Sequence, residues 1–549
     1  MATVTGGDLV ARMLREAGVT TIFTLCGGHI APIYDGCLNE AIRIIDTRHE
    51  QGAAFAADAW ARLTRNIGVA VVTAGPGVAN AVTAMANALQ AGSPLLLLGG
   101  AAPTDVAGRG ALQEMAQVGL LQPVSKWSAT VGEVARVPEA LATAIRVALS
   151  GRPGPVFLEL PFDVLGDTVE ESRVRIPRGY RPTAAVAPAA DGVRAAAALL
   201  RAAERPAIMG GSPLAWDGAA EVLAALASAH GIPVYLNGMG RGCLPWHHPC
   251  FLQHTRSKAL READVVLLAG TPLDFRMKYG EAINPAAQLI QIEPEGALIG
   301  QNRDVAVGLV GDSRLALEQI AAALEGGPCW DGWLADLRAA EEARAARLLP
   351  VLASDSAPIH HYRFAAAIDA LAQEHPDAIL IGDGGDIVAT VARVVRLNRP
   401  GQWLDPGPLG CLGIGVPFAL AAQALHPERR VVVVSGDGSF GLNGFELETA
   451  ARFKMPIVVV IGNDRGWGQI RNPQLAIYGP ERAVATALGD TRYERMAAMW
   501  DGHGEFVERP EELEPAIARA LASGTPAIVN ALLDPEALLM MEGGGSYVL

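Results

Sequence analysis

The chain has 549 residues, half of them apolar and 19% charged, with a mean hydropathy of +0.24. At roughly 150 residues per domain that is material for three to four closed cores, and it excludes a disordered or fibrous protein. Forty-four basic and 58 acidic residues leave a formal charge of −14 with no Lys/Arg block, which argues against a nucleic-acid partner.

Six cysteines stand singly at 26, 37, 243, 250, 329 and 411, without C-x-x-C or zinc-finger spacing. They read as reduced thiols. The N-terminus MATVTGGDLVARML lacks an apolar core of the secretory kind. Apolar runs such as 94–98 and 431–434 fall far short of the ~20 residues of a membrane span. A cytoplasmic protein without a membrane partner is expected.

The first block alternates strand-like runs (21–25, 43–46, 69–73, 95–98, 156–160) with helical stretches (51–63, 79–91). That period predicts a parallel sheet covered by helices on both faces. A Pro/Ala-rich linker follows at 176–190. A second block has strands near 206–209, 234–236, 265–269 and 289–292, and ends in an Ala/Arg/Glu-rich helix closing at 348–350. The third repeats the first, with strands at 379–381, 431–435, 457–461 and 527–531. The fold class is therefore α/β, with three doubly wound parallel-sheet domains at 1–175, 191–340 and 355–535. The remaining 536–549 form a C-terminal tail.

Ligands of parallel sheets collect at the carboxyl ends of strands. The strand 431–435 runs into Gly436-Asp437-Gly438-Ser439, and the strand 457–461 into Gly462-Asn463-Asp464-Arg465-Gly466-Trp467. Two acidic oxygen donors thus end what should be neighbouring strands. Gly436 and Gly438 permit close backbone approach, and a helix from about Leu442 offers N–H groups to an anion. Hard oxygen ligands beside such a cradle suit Mg²⁺ or Ca²⁺ bridging a diphosphate. A lone G-D-G would be an ordinary turn.

GDG, 24 residues (439–462) and then Asn463-Asp464 resembles the thiamine-diphosphate motif. The chain is similar over nearly its whole length to the thiamine-diphosphate-dependent enzymes of the acetolactate synthase, benzaldehyde lyase and oxalyl-CoA decarboxylase group. The resemblance implies pyrimidine-binding, middle and diphosphate-binding domains in that order. It also implies thiamine diphosphate and Mg²⁺ as cofactors, with Asp437, Asp464 and the Gly466 carbonyl on the metal. The chain departs from the pattern at Asp464, where the family has a second Asn, and so adds negative charge.

In this family a Glu in an Arg-His-Glu context protonates the cofactor's pyrimidine. Arg48-His49-Glu50 supplies it here. Gly385 and Asp386 of Asp383-Gly384-Gly385-Asp386 correspond to the diphosphate site, together with Gly436, Gly438 and Ser439. In Leu409-Gly410-Cys411-Leu412-Gly413-Ile414-Gly415, Gly410 and Leu412 correspond to the pyrimidine loop, with Leu412 as the apolar wedge under the cofactor. Thr73-Ala74-Gly75-Pro76-Gly77 resembles a glycine turn near the cofactor.

Gly27-Gly28-His29-Ile30 and Leu112-Gln113 resemble benzaldehyde lyase, in which the His and Gln handle substrate protons. Together with Trp403-Leu404-Asp405-Pro406-Gly407 and Gly462–Trp467, they look closest to 2-hydroxyacyl-CoA lyases. The second active-site His of benzaldehyde lyase would fall near Pro406. The implied function is reversible cleavage of a 2-hydroxyacyl-CoA, with His29 and Gln113 handling protons and Trp467 and Phe162 beside the substrate. The alternatives are acetolactate synthase-type ligation of 2-oxo acids, acyloin cleavage, or a nucleotide-sensing regulatory relative without catalysis. The resemblance further implies a homodimer or homotetramer. Gly270–Arg276, Gln291–Glu295 and Gly311-Asp312 resemble segments that hold ADP, FAD or CoA, so an adenine nucleotide is an expected middle-domain ligand. The glycine-hinged tail Met540–Leu549 reads as a lid over an acyl-CoA.

Overall fold

The computed structural model describes residues 2–538. The N-terminal domain is a six-stranded parallel sheet in the spatial order Arg43–Asp46, Thr21–Thr24, Gly68–Val72, Leu95–Ala101, Val156–Pro161, Trp127–Thr130. The middle domain has five parallel strands: Val234–Leu236, Pro206–Gly210, Val265–Ala269, Gln288–Glu293 and Val307–Val310. The third has six in the order Trp403–Leu404, Ile379–Asp383, Val431–Gly436, Val458–Asn463, Ala527–Leu532, His503–Val507. Central strands such as Val431–Gly436 are apolar throughout because helices cover both faces of the sheet. A small antiparallel pair, Thr3–Thr5 with Thr168–Glu170, clips the N-terminus to the end of the first domain. Among the described residues no helix is long and apolar enough to cross a membrane.

The first and third domains share a core. The helix Glu50–Thr64 buries Ala53, Ala54, Ala56, Ala57, Ala59 and Ala61 completely, and these small side chains let its neighbours approach closely. It packs on the helix Gly415–Leu425, with the Phe55 and Phe418 rings edge to face at 6.3 Å. A buried pair, Arg62 on Asp58 at 2.7 Å, extends this contact. Arg62 also donates to the Asp405 carbonyl at the start of the loop leading to Gly410. Glu446 accepts the Arg48 and His49 N–H groups, which fixes the backbone entering Glu50.

Some boundaries differ from the sequence expectation. The stretch 79–91 is two helices, Pro76–Asn80 and Val82–Ala91, which meet at Ala81. The helix after GDG begins at Asp437 and not near Leu442. The long helix Asp331–Leu352 continues past Pro350. Trp127–Thr130, Val307–Val310 and His503–Val507 are further strands, each a partly exposed sheet edge, and the first and last have polar residues interrupting the apolar pattern.

Candidate active site

Strand register builds the acidic end of the site. Gly436 pairs with Gly462 across two adjacent parallel strands, so Asp437 and Asp464, each just beyond its strand, lie side by side. They are 2% and 7% exposed, and the Asp437 Oδ2 has no hydrogen-bond partner. Burial, and next the Asp464 charge, push the Asp437 carboxyl up to about 7; burial raises Asp464 as well. The Gly466 N–H favours the charged form of both carboxylates, so its peptide borders the same spot. A Cβ on Gly466 would meet the Thr486 carbonyl at 2.5 Å.

A third acid adjoins this pair. Asp386 opens the helix Asp386–Val394, its Oδ2 is buried without a partner, and burial with Asp464 pushes it up to about 6. A Cβ on Gly468 would lie 2.5 Å from Asp464 Oδ2 and 2.9 Å from Asp386 Oδ2, so these carboxylates flank that glycine. Converging buried carboxylates with orphan oxygens fit a divalent cation with oxygen ligands. Among the described residues no group of three or more His, Cys, Asp or Glu is arranged as a metal site by itself. The negative charge of Asp464 is met by Arg471, whose Nη2 donates to Asp464 Oδ2 at 2.9 Å and to the Pro535 carbonyl.

The surrounding loops are tied together by Asp383, a fully buried carboxylate raised by burial. Its Oδ1 accepts the Gly413 N–H and the Ser439 hydroxyl, and its Oδ2 accepts the Gly415 N–H. The Ser439 side chain therefore serves the loop, and only its backbone remains for a diphosphate. Gly410 and Gly413 adopt φ of +68° and +79°, which glycine alone takes readily, and they set the half-buried Leu412 between them. Gly438 has a role the motif did not reveal: a Cβ there would lie 2.6 Å from the Trp467 ring, so the glycine seats the indole. Gly436 is more open, its nearest neighbour Ile387 at 3.8 Å, and Gly385 lies under Gln469.

In the first domain, the strand Arg43–Asp46 leads through His49, the N-cap, to Glu50 at the first position of its helix. Glu50 is 6% exposed, and its Oε2 accepts from the Asn80 amide at 3.0 Å. Its neighbour Gln51 accepts from Asn443, which also donates to the Gly413 carbonyl, so the Glu50 helix abuts the loop bearing Leu412.

His29 sits in a short 3₁₀ turn, Gly28–Ile30, with its Nδ1 3.2 Å from the Thr73 hydroxyl. Thr73 donates to Gln113 Oε1 at 3.4 Å. The Phe162 ring stands edge to face with His29 at 6.5 Å. A Cβ on Gly100 would lie 2.6 Å from the His29 Cβ, so that glycine makes room for the imidazole. Burial lowers the His29 pKa, which keeps the ring neutral near pH 7. The structure thus joins His29, Gln113 and Phe162 in one cluster, and Asp386, Asp437, Asp464, Gly466 and Trp467 in another. Thr73, Asp383, Asn80 and Arg471 are the residues that sequence reasoning had not assigned.

The middle domain behaves differently. Gln291 donates to Glu293 and the Leu298 carbonyl and accepts from Gly300; Asp274 binds Arg276; Asp312 caps the helix Ser313–Leu324. These segments satisfy one another, and their contacts give no support to the expected ADP, FAD or CoA. The tail Met540–Leu549 lies outside the described residues.

Three domain models of one family match the chain: "Thiamine pyrophosphate enzyme, N-terminal TPP binding domain" over residues 4–120, the "central domain" over 193–320, and the "C-terminal TPP binding domain" over 383–531. The acetolactate synthase large subunit of Mycobacterium tuberculosis is 42% identical over 97% of this chain and 96% of its own length. The 2-hydroxyacyl-CoA lyase 2 of Caenorhabditis elegans is 36% identical over 96% and 89%. That of Homo sapiens is 35% identical over 96% and 90%. With its three α/β domains and its paired carboxylates at neighbouring strand ends, the chain belongs to the thiamine pyrophosphate enzymes.

Proposed function

We propose that the protein is a Mg²⁺- and thiamine-diphosphate-dependent carbon–carbon lyase that cleaves a 2-hydroxyacyl-CoA to an aldehyde or ketone plus formyl-CoA, and runs the reverse condensation. One observation favours this substrate class: the His29 cluster is uncharged. Thr73, Gln113 and Phe162 are neutral, and burial holds His29 neutral too. A neutral set of donors and acceptors matches a hydroxyl beside a thioester carbonyl; a 2-oxo acid brings a carboxylate that calls for a cation.

The cofactor, when bound, supplies a carbon nucleophile and an electron sink for the broken bond. Asp437, Asp464 and the Gly466 peptide would hold Mg²⁺. The backbone of Gly385, Asp386, Gly436, Gly438 and Ser439 would cradle the diphosphate, with Trp467 walling it. Gly410 and Leu412 would seat the pyrimidine. Glu50, positioned by the Asn80 amide, would hydrogen-bond the pyrimidine ring nitrogen and exchange a proton with it. His29 exchanges a proton with the substrate hydroxyl, and Gln113 hydrogen-bonds the neighbouring oxygen without titrating. In this reading the protein works as a homodimer or homotetramer. Leu442 and Phe445, 55% and 44% exposed beside Asp437, offer apolar surface for that assembly.

Acetolactate synthase-type ligation is the second reading, favoured by 42% identity to the mycobacterial relatives. Incubation of the protein, loaded with Mg²⁺ and thiamine diphosphate, with 2-hydroxyacyl-CoAs, benzoin and pyruvate separates the two. The lyase reading predicts formyl-CoA and an aldehyde or ketone by mass spectrometry; acetolactate from pyruvate with intact acyl-CoAs would overturn it.

A further inference from the structure

Thr73 follows the strand Gly68–Val72 and is 7% exposed. Its position is tightly determined. A Cβ on Gly27 would lie 2.3 Å from the Thr73 Cβ, and one on Gly77 2.9 Å from its Cγ2. The chain also bends to bring Gln113 to it. Gly75 has φ +60°, and a Cβ there would lie 2.5 Å from the Gln113 carbonyl. Gln113 itself has φ +61°, a strained conformation for a non-glycine residue and one that clusters at functional sites.

The Thr73 hydroxyl owns one proton and touches two groups. The Gln113 Oε1 can only accept, so the proton goes to Gln113. The Thr73 oxygen is then an acceptor toward His29, and Nδ1 must carry the imidazole proton. The other ring nitrogen, Nε2, is left with a lone pair. The Gln113 amide keeps both of its N–H groups free of Thr73.

We propose that Thr73 is a positioning residue that fixes the Nδ1–H tautomer of His29, making His29 Nε2 an acceptor for the substrate hydroxyl and the Gln113 amide a donor to the adjacent carbonyl. The acceptor–donor pair selects α-hydroxy carbonyl substrates. This deepens the lyase reading above and rests on it for the substrate.

The test uses the full chain labelled with ¹⁵N-histidine, the His29 signal being identified by its loss in His29→Ala. Wild type and Thr73→Ser show an unprotonated Nε2. Thr73→Val, which keeps both γ-substituents where Gly27 and Gly77 pack, shows the two tautomers mixed. In the loaded enzyme, Thr73→Val lowers kcat for 2-hydroxyacyl-CoA cleavage about 10²-fold with little change in KM, and Thr73→Ser restores most of it. A protonated Nε2 in wild type, or an unchanged tautomer in Thr73→Val, overturns the proposal. A tautomer shift in a protein that cleaves no 2-hydroxyacyl-CoA would support the role of Thr73 and refute the lyase reading.

Discussion

The ion pair between Asp464 and Arg471 sets a counter-charge beside the carboxylates of Asp437 and Asp386, and a double-mutant cycle measures what it does. The two side chains are 10% and 17% exposed, with Nη2 and Oδ2 2.9 Å apart. With charge centres about 4 Å apart, the attraction is about 4 kcal/mol at an effective dielectric near 20. In Arg471→Gln, Asp464 faces Asp437 and Asp386 without its counter-charge. Proton uptake by the carboxylates caps the penalty, so a loss of about 3 kcal/mol is expected in the metal-free protein. Asp464→Asn removes the same pair but also relieves the repulsion with Asp437. Arg471 keeps the Asp464 and Pro535 carbonyls as acceptors. That variant should lose about 1 kcal/mol. Together the substitutions should cost about 2 kcal/mol rather than the about 4 of their sum, a coupling within the range for residues in contact. Calorimetry of the metal-free proteins at neutral pH reads this as Tm shifts of about 2–4 °C per kcal/mol for an unfolding unit the size of the third domain. The double variant should melt above Arg471→Gln. Additive losses would show that Arg471 does not offset the Asp464 charge.

Gly438→Ala drives a methyl into the Trp467 ring and should cost about 1–3 kcal/mol while weakening thiamine diphosphate binding; tryptophan fluorescence titration with the cofactor reads both, and unchanged affinity would contradict the indole's place. Gln113→Glu puts a carboxylate on the hydroxyl shared with His29. Burial holds the wild-type imidazole below its ordinary pKa, so activity that needs neutral His29 persists below pH 6.5. The new negative charge favours the protonated ring and should move the acid limb of the pH–rate profile up by about 1–2 units; a stationary limb would separate His29 from that limb.

Asp437 and Asp464 were legible in the sequence because each follows directly on an apolar strand, and adjacent parallel strands deliver their ends to one place. Glu50 and His29 were candidates only through the Arg-His-Glu and Gly-Gly-His contexts that resemble the family, since a Glu opening a helix also serves simply to offset its dipole. The residues that went unassigned act across long separations. Glu446 reaches Arg48, 398 positions away, and Thr73 reaches His29 across 44. No local pattern encodes such contacts. Arg471 lies seven residues beyond Asp464, on the next helix, where a single Arg looks like any solvated charge. Gly438 was visible as a glycine, but its partner Trp467 becomes evident only in three dimensions. The edge strands Trp127–Thr130 and His503–Val507 escaped because they are partly exposed and polar residues interrupt their apolar pattern.

In the proposed mechanism Glu50 readies the cofactor, and the neutral cluster around His29 serves the substrate. Hydrogen–deuterium exchange at the bound cofactor's C2, followed by acid-quench NMR beside product formation, tests that division in two variants. Glu50→Gln should slow exchange by orders of magnitude, since the amide has no proton to give the pyrimidine, while folding and metal binding persist. His29→Ala should keep exchange near the wild-type rate and cut turnover roughly 10²–10⁴-fold. Exchange impaired as badly by His29→Ala as by Glu50→Gln, or turnover untouched by it, would contradict the division.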